Sequence, residues 1–170
     1  LAQPEARLLE LIARLVRAER AVEIGTLAGY SAIRLARGLA PEGRLWSLEI
    51  DPAHAAIARA NLDAAGVGGR VEIVLGDAIE RLPSLDAHAP FDLVFLDADK
   101  GRYDLYARWA VERLRPGGVL VADNVYFFGR LLDDEPDAQA MRRFHRECAA
   151  SLATACVPTP DGLLIGIKAS

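Results

Sequence analysis

Apolar positions along the chain switch between two periods. From Pro4 to Glu19 the residues Leu8, Leu11, Ile12 and Leu15 recur at helical spacing against Arg and Glu on the other side, which predicts an amphipathic helix over 4–19. The run AVEI at 21–24 reads as a short buried strand, followed by Gly25 to Gly29 and a helix from Tyr30 to Leu39. RLWSLEI predicts a strand at 44–50, and Asp51-Pro52 supplies an N-cap and a first-turn proline for a helix reaching Ala65.

The alternation continues. Gly66, Gly68 and Gly69 break that helix before a strand at 71–75, and a short helix over 78–82 leads through Pro83 to a strand at 91–97. Tyr103, Tyr106, Trp109 and Ala110 mark the apolar face of the next helix, and Pro116-Gly117-Gly118 turns into a strand at 119–123. After a loop over 124–135, Met141, Phe144 and Cys148 lie on one helical face. Strands at 152–157 and 163–168 follow, joined by the turn-forming stretch Pro158 to Gly162, and predict an antiparallel hairpin. The expected fold is α/β: one domain over 1–170 with a doubly wound, mostly parallel seven-stranded sheet. Ligands of such a sheet sit in a crevice at the carboxyl ends of its strands.

Composition narrows the partners. With 170 residues, 52% hydrophobic and 26% charged, the chain has material for one core and no signature of disorder. No apolar run approaches a membrane span, and a net charge of −4 offers no basic stripe for nucleic acid. Cys148 and Cys156 have neither metal-site spacing nor a disulfide framework, so the expected compartment is the reducing cytoplasm. The sequence opens at Leu1 with neither a methionine nor a basic-then-apolar leader, which is expected of a chain trimmed before Leu1 and not secreted. Of 20 basic residues only Lys100 and Lys168 are lysines. Lysine, unlike arginine, can titrate, and this singles out Lys100.

Strand ends carry the candidate chemistry. Strand one runs into Glu23-Ile24-Gly25-Thr26-Leu27-Ala28-Gly29-Tyr30-Ser31, where glycines let backbone approach a ligand and a helix start presents free amides. The spacing is GxxxG rather than the GxGxxG of pyrophosphate binders, and the acidic Glu23 suits a cationic ligand, so a dinucleotide is disfavoured and a nucleoside fits. The competing reading is a plain strand-to-helix turn. Glu49, with Ile50 beside it, ends strand two where a carboxylate can accept from ribose hydroxyls, while Asp51 reads as a helix cap. Asp77 and Ala78 end strand three, beside an adenine or as another cap.

Asp97 and the pair Asp123-Asn124 end strands four and five, which a parallel sheet makes neighbours. Two carboxylates and an amide oxygen suit a hard divalent cation, with Mg²⁺ the natural choice. A helix cap and a turn are the bland alternatives.

These residues resemble the cation-dependent O-methyltransferases of the catechol and caffeoyl-CoA type. The likeness runs from VEIGTLAGYSAIRLA through LEIDP and FDLVFLDADKGRYDLY to GGVLVADNV and DGLLI, with FLDADK and ADNV the specific pieces. The resemblance implies S-adenosylmethionine as cofactor, with Glu23, Gly25 and Ser31 near its methionine part, Glu49 on the ribose, and Asp77 and Ala78 near adenine. Gly29, Tyr30, Ile50 and Asp97 complete that cofactor set. It further implies Asp97, Asp123 and Asn124 on the metal, Lys100 as general base, and a catechol-like small-molecule acceptor beside Lys100 and Asn124. A helical segment ahead of the first helix and a homodimer are implied too. The chain departs from the family in Tyr126-Phe127-Phe128-Gly129, where a tryptophan is common. Phe127 and Phe128 either stack on a planar acceptor or serve as core or dimer contacts. A nucleotide-binding or regulatory module without turnover is the alternative class, and it leaves Asp97, Lys100, Asp123 and Asn124 together without a purpose. A nicotinamide-dependent dehydrogenase ranks third for want of GxGxxG.

Overall fold

Seven strands, β1 (Arg20–Ile24), β2 (Arg44–Glu49), β3 (Val71–Leu75), β4 (Phe91–Leu96), β5 (Leu114–Asp123), β6 (Leu152–Val157) and β7 (Leu163–Lys168), form one sheet in the order β3-β2-β1-β4-β5-β7-β6. The computed structural model describes residues 3–169. The first five strands are parallel, and β7 is antiparallel to both β5 and the edge strand β6. Helices α1 (Gln3–Leu15), α2 (Tyr30–Gly38), α3 (Pro52–Ala64), α4 (Ala78–Arg81), α5 (Tyr103–Arg113) and α6 (Pro136–Ser151) connect or cover them. The predicted α/β architecture and the terminal hairpin are both present.

Alternation along the central strands distributes two cores. Val22, Ile24, Trp46, Leu48, Val94 and Leu96 face α5 and α6, whereas Ala21, Leu45, Leu93 and Phe95 face α1 and α2. Both faces of a parallel sheet are covered in this way, and polar groups are pushed to the strand ends.

Two boundaries differ from the expectation by more than one residue. The first helix ends at Leu15 rather than at 19: Arg17 takes a left-handed conformation and the Ala18 amide donates to the Ala13 carbonyl at 2.9 Å, closing the helix before β1. The fifth strand begins at Leu114 rather than 119. Pairing with β4 carries it through Pro116-Gly117-Gly118, with an irregular register between Phe91 and Leu93. Asp51 caps α3 as expected, accepting from the Ala53 amide at 2.7 Å with Pro52 in the first turn.

Candidate active site

A cavity of about 590 Å³ opens at the carboxyl ends of β1, β2, β3 and β4. Tyr30, Ser31, Glu49, Ile50, Asp77 and Ala78 from the predicted cofactor set line it, as do Gly25 and Asp97. Glu23 and Gly29 are buried and do not line it.

The Gly25 position, on the cavity wall, has a further reason in the fold. At φ 104°, a Cβ there would stand 2.2 Å from the Asp97 carbonyl oxygen, so the missing side chain lets the β1 and β4 ends meet, with the Asp97 amide donating to the Ile24 carbonyl at 2.9 Å. Glu49 holds the same loop from the other side. Its Oε2 accepts from the Leu27 amide at 2.7 Å and its Oε1 from the Asp51 amide at 3.0 Å. His54, to which the sequence assigned no role, lines the cavity with Nδ1 3.6 Å from Glu49.

Asp77 does two jobs at once. Its Oδ1 caps α4 through the Ile79 amide at 2.9 Å, and its Oδ2 pairs with the Arg102 guanidinium at 2.6 Å, which holds the carboxyl below its ordinary range. Arg102 also reaches Asp99 at 3.3 Å, and Asp99 accepts from the Tyr106 hydroxyl at 2.6 Å. Arg102 and Tyr106 both line the cavity. Neither was legible as a site residue, because Tyr106 fits the apolar face of its helix.

Glu23 is fully buried. Burial pushes its carboxyl up to about 7, while the Ser47 hydroxyl bonded to it and the nearby Ser31 hydroxyl pull the other way.

Beyond Asp97 lies a second cluster. The Lys100 ammonium is 11% exposed and stands 3.3 Å from Asp97 Oδ1, 3.0 Å from the Ala98 carbonyl and 2.6 Å from the Tyr103 hydroxyl. A lysine free in solvent at a helix start is thereby excluded. Burial lowers its pKa, opposed by the charges of Asp97, Asp123 and Asp161. Tyr103, fully buried, lies within hydrogen-bond reach of the carbonyls of Leu96 at 3.2 Å and Asp123 at 3.1 Å. One phenol therefore ties the ends of β4 and β5 to Lys100. Asp123, also buried, accepts from the Asn124 amide at 2.8 Å, and burial raises its pKa, with the Asp97 charge adding to the rise. Among the described residues no three or more His, Cys, Asp or Glu side chains gather as a metal site. The expected set has two carboxylates, and its third donor is Asn124.

The aromatic pair divides. Phe127 is 5% exposed and belongs to the core, whereas Phe128 is 64% exposed. Both have positive φ, as does Asn124. The turn before β7 holds this loop: the Phe128 amide donates to Asp161 Oδ1 at 2.7 Å, the Tyr126 amide to the Asp161 carbonyl at 2.9 Å and the Val125 amide to the Gly162 carbonyl at 3.1 Å. His145 Nε2 lies 2.7 Å from the Val125 carbonyl. Asp161 read as a turn former in the sequence, and its approach to the Asn124 loop depends on β7 pairing with β5.

The O-methyltransferase family model matches residues 1–168. A catechol O-methyltransferase of Niastella koreensis is 46% identical over 154 residues, 88% of this chain and 70% of that protein. One of Mycobacterium tuberculosis is 50% identical over 141 residues, 82% of this chain and 64% of that protein. Among solved structures, the O-methyltransferase TomG of Streptomyces achromogenes in complex with SAM superposes with a TM-score of 0.93 at 38% identity, covering 100% of this chain and 82% of that one. An O-methyltransferase of Bacillus cereus in complex with SAH gives 0.92 at 36%, covering 99% and 82%. With a family match over nearly its whole length, the chain belongs to the O-methyltransferase family of methyl-transferring enzymes.

Proposed function

We propose that this protein transfers the S-methyl group of S-adenosylmethionine to one hydroxyl of a catechol-like vicinal diol, with the help of a divalent cation. The observation that carries this reading is Asp97, which lines the nucleoside-sized cavity and also stands 3.3 Å from the Lys100 amine. The methyl donor and the proton acceptor then meet at one residue. The cofactor-bound relatives TomG and the Bacillus cereus enzyme support the choice of cofactor, and the names of the two catechol O-methyltransferases support the acceptor class.

In this reading Glu49 and Ile50 flank the ribose, Asp77 and Ala78 flank the adenine, and Glu23, Gly25, Gly29, Tyr30 and Ser31 surround the methionine portion. Methyl transfer from a sulfonium is an in-line displacement, so most of the enzyme's task is orientation. Lys100 takes the phenol proton; burial favours its neutral amine, which is the form a base requires. Phe128, exposed in the loop that follows Asn124, offers a face to a planar acceptor.

Asp97, Asp123 and Asn124 would hold the cation. Their oxygen donors suit a hard ion such as Mg²⁺, and the raised pKa of Asp123 beside Asp97 means that added positive charge there is favoured. A divalent ion at that point lowers the pKa of a chelated phenol.

The test is methyl transfer from S-adenosylmethionine to catechol, followed by mass spectrometry with Mg²⁺ or with a chelator. Methylated catechol in the first case and a loss of at least about 100-fold in the second is the expected outcome. Full activity in the chelator would remove the cation, and cofactor binding without product from any vicinal diol would remove the acceptor class.

A further inference from the structure

Glu23 and Ser47 face each other across the parallel pairing of β1 and β2, and both are fully buried. Ser47 Oγ lies 2.5 Å from Glu23 Oε2, Thr26 Oγ1 lies 2.5 Å from Ser47 Oγ, and Thr26 Oγ1 lies 3.0 Å from the Leu48 carbonyl. The three contacts run in series from a backbone carbonyl to a carboxyl group. Each hydroxyl brings one hydrogen, and an ionised carboxylate brings none.

Two hydrogens for three contacts leave a choice. When Glu23 is ionised, the Ser47 hydrogen is committed to the carboxylate and the Thr26 hydrogen turns to Ser47. The Leu48 carbonyl loses little by this, since it keeps the amides of Gly25 at 3.1 Å and Thr26 at 3.2 Å. Both hydroxyls then point their positive ends at Glu23, and Oε2 is held. Oε1 is buried with no hydrogen-bond partner of ordinary geometry among the described residues, the Ser31 hydroxyl lying nearby. A buried carboxylate oxygen left in this way favours a cationic ligand. Ser31, whose hydroxyl is near Glu23, is on the cavity wall, and Ser47 is not.

We propose that Ser47, backed by Thr26, is a positioning residue that fixes Oε2 of Glu23 and so presents Oε1 to the ammonium of the cofactor's amino-acid portion. The proposal rests on the cofactor reading above. Affinity for that portion then depends on a hydroxyl that the cofactor never touches.

S-adenosylhomocysteine and methylthioadenosine carry the same nucleoside, and only the former has the amino acid. Calorimetric titration of both into the wild-type chain should show tighter binding of S-adenosylhomocysteine. In Ser47→Ala that affinity should fall about 10-fold, the scale of one hydrogen bond to a charged group, with methylthioadenosine changed by less than about twofold. Thr26→Val should move the ratio in the same direction by a smaller factor, and it keeps the test available should Ser47→Ala fail to fold. An equal loss for both ligands would make Ser47 a packing residue and overturn the proposal, as would an unchanged ratio in both variants. A wild-type chain that binds the two ligands equally would detach Glu23 from the amino-acid portion, and the cofactor reading itself would fall only if neither ligand bound.

Discussion

Around Glu49 the partners are backbone amides of its own and the neighbouring loop, Leu27 and Asp51. Around Asp97 and Asp123, besides the Asn124 amide on Asp123, they include side chains: the Lys100 amine, which also feels the charge of Asp161 from the β6–β7 turn, and the Tyr103 hydroxyl between two strand ends. On the function proposed above, the cofactor side is thus a pocket whose walls brace themselves. The acceptor side, on the same reading, is a group of carboxylates around one lysine, kept together by the rest of the fold. A preformed pocket suits a ligand common to a whole family, whereas a charge cluster under an exposed aromatic loop leaves room for the acceptor to vary.

The contrast can be broken most severely at Gly25. Gly25→Ala places a Cβ against the Asp97 carbonyl and demands a positive φ, so the β1 and β4 ends must part. The expected cost is at least about 3 kcal/mol, with cofactor binding lost, read from thermal unfolding and titration calorimetry. A variant that folds and binds normally would show that the two strand ends are not locked together.

Lys100→Ala acts on the other side alone. Turnover should fall roughly 100-fold or more while cofactor affinity stays within about twofold. Unaltered turnover would exclude Lys100 as the base, and a parallel loss of cofactor affinity would show that the two regions are one unit.

The smallest effect is a pH dependence inside the cofactor side. Burial raises the Glu23 carboxyl to about 7 in the folded chain, so folding favours its protonated form. The stability it lends is fully present below the unfolded carboxyl's pKa of about 4.3 and is lost as pH rises through about 7. Glu23→Gln should flatten the fall in melting temperature of the ligand-free protein between those limits. An identical profile in the two proteins would mean that folding leaves the Glu23 carboxyl unshifted.

Local signals made most of the fold legible. The five parallel strands, the Asp51 cap and the hairpin after Pro158 follow from period, caps and turn residues. The end of α1 was missed because the chain from Val16 to Glu19 is still compatible with helix, and the early start of β5 because Pro116-Gly117-Gly118 looks like a turn until β4 supplies a partner. In the site, Glu49, Asp77, Asp97, Lys100 and Asp123 stood out as polar residues at strand ends. Tyr103, Tyr106 and Asp161 did not. A buried phenol at helical spacing looks like core, and an Asp in a Pro-Asp-Gly turn looks like a turn.

The sequence by itself determined the alternation of elements and the places where carboxylates end strands, because both depend on neighbours a few residues apart. Only the tertiary structure decided what those carboxylates meet. Glu23 finds Ser47 across 24 residues, Asp77 finds Arg102 across 25 and Phe128 finds Asp161 across 33. Such contacts exist only once strand order and register are set, and no local period in the chain encodes them.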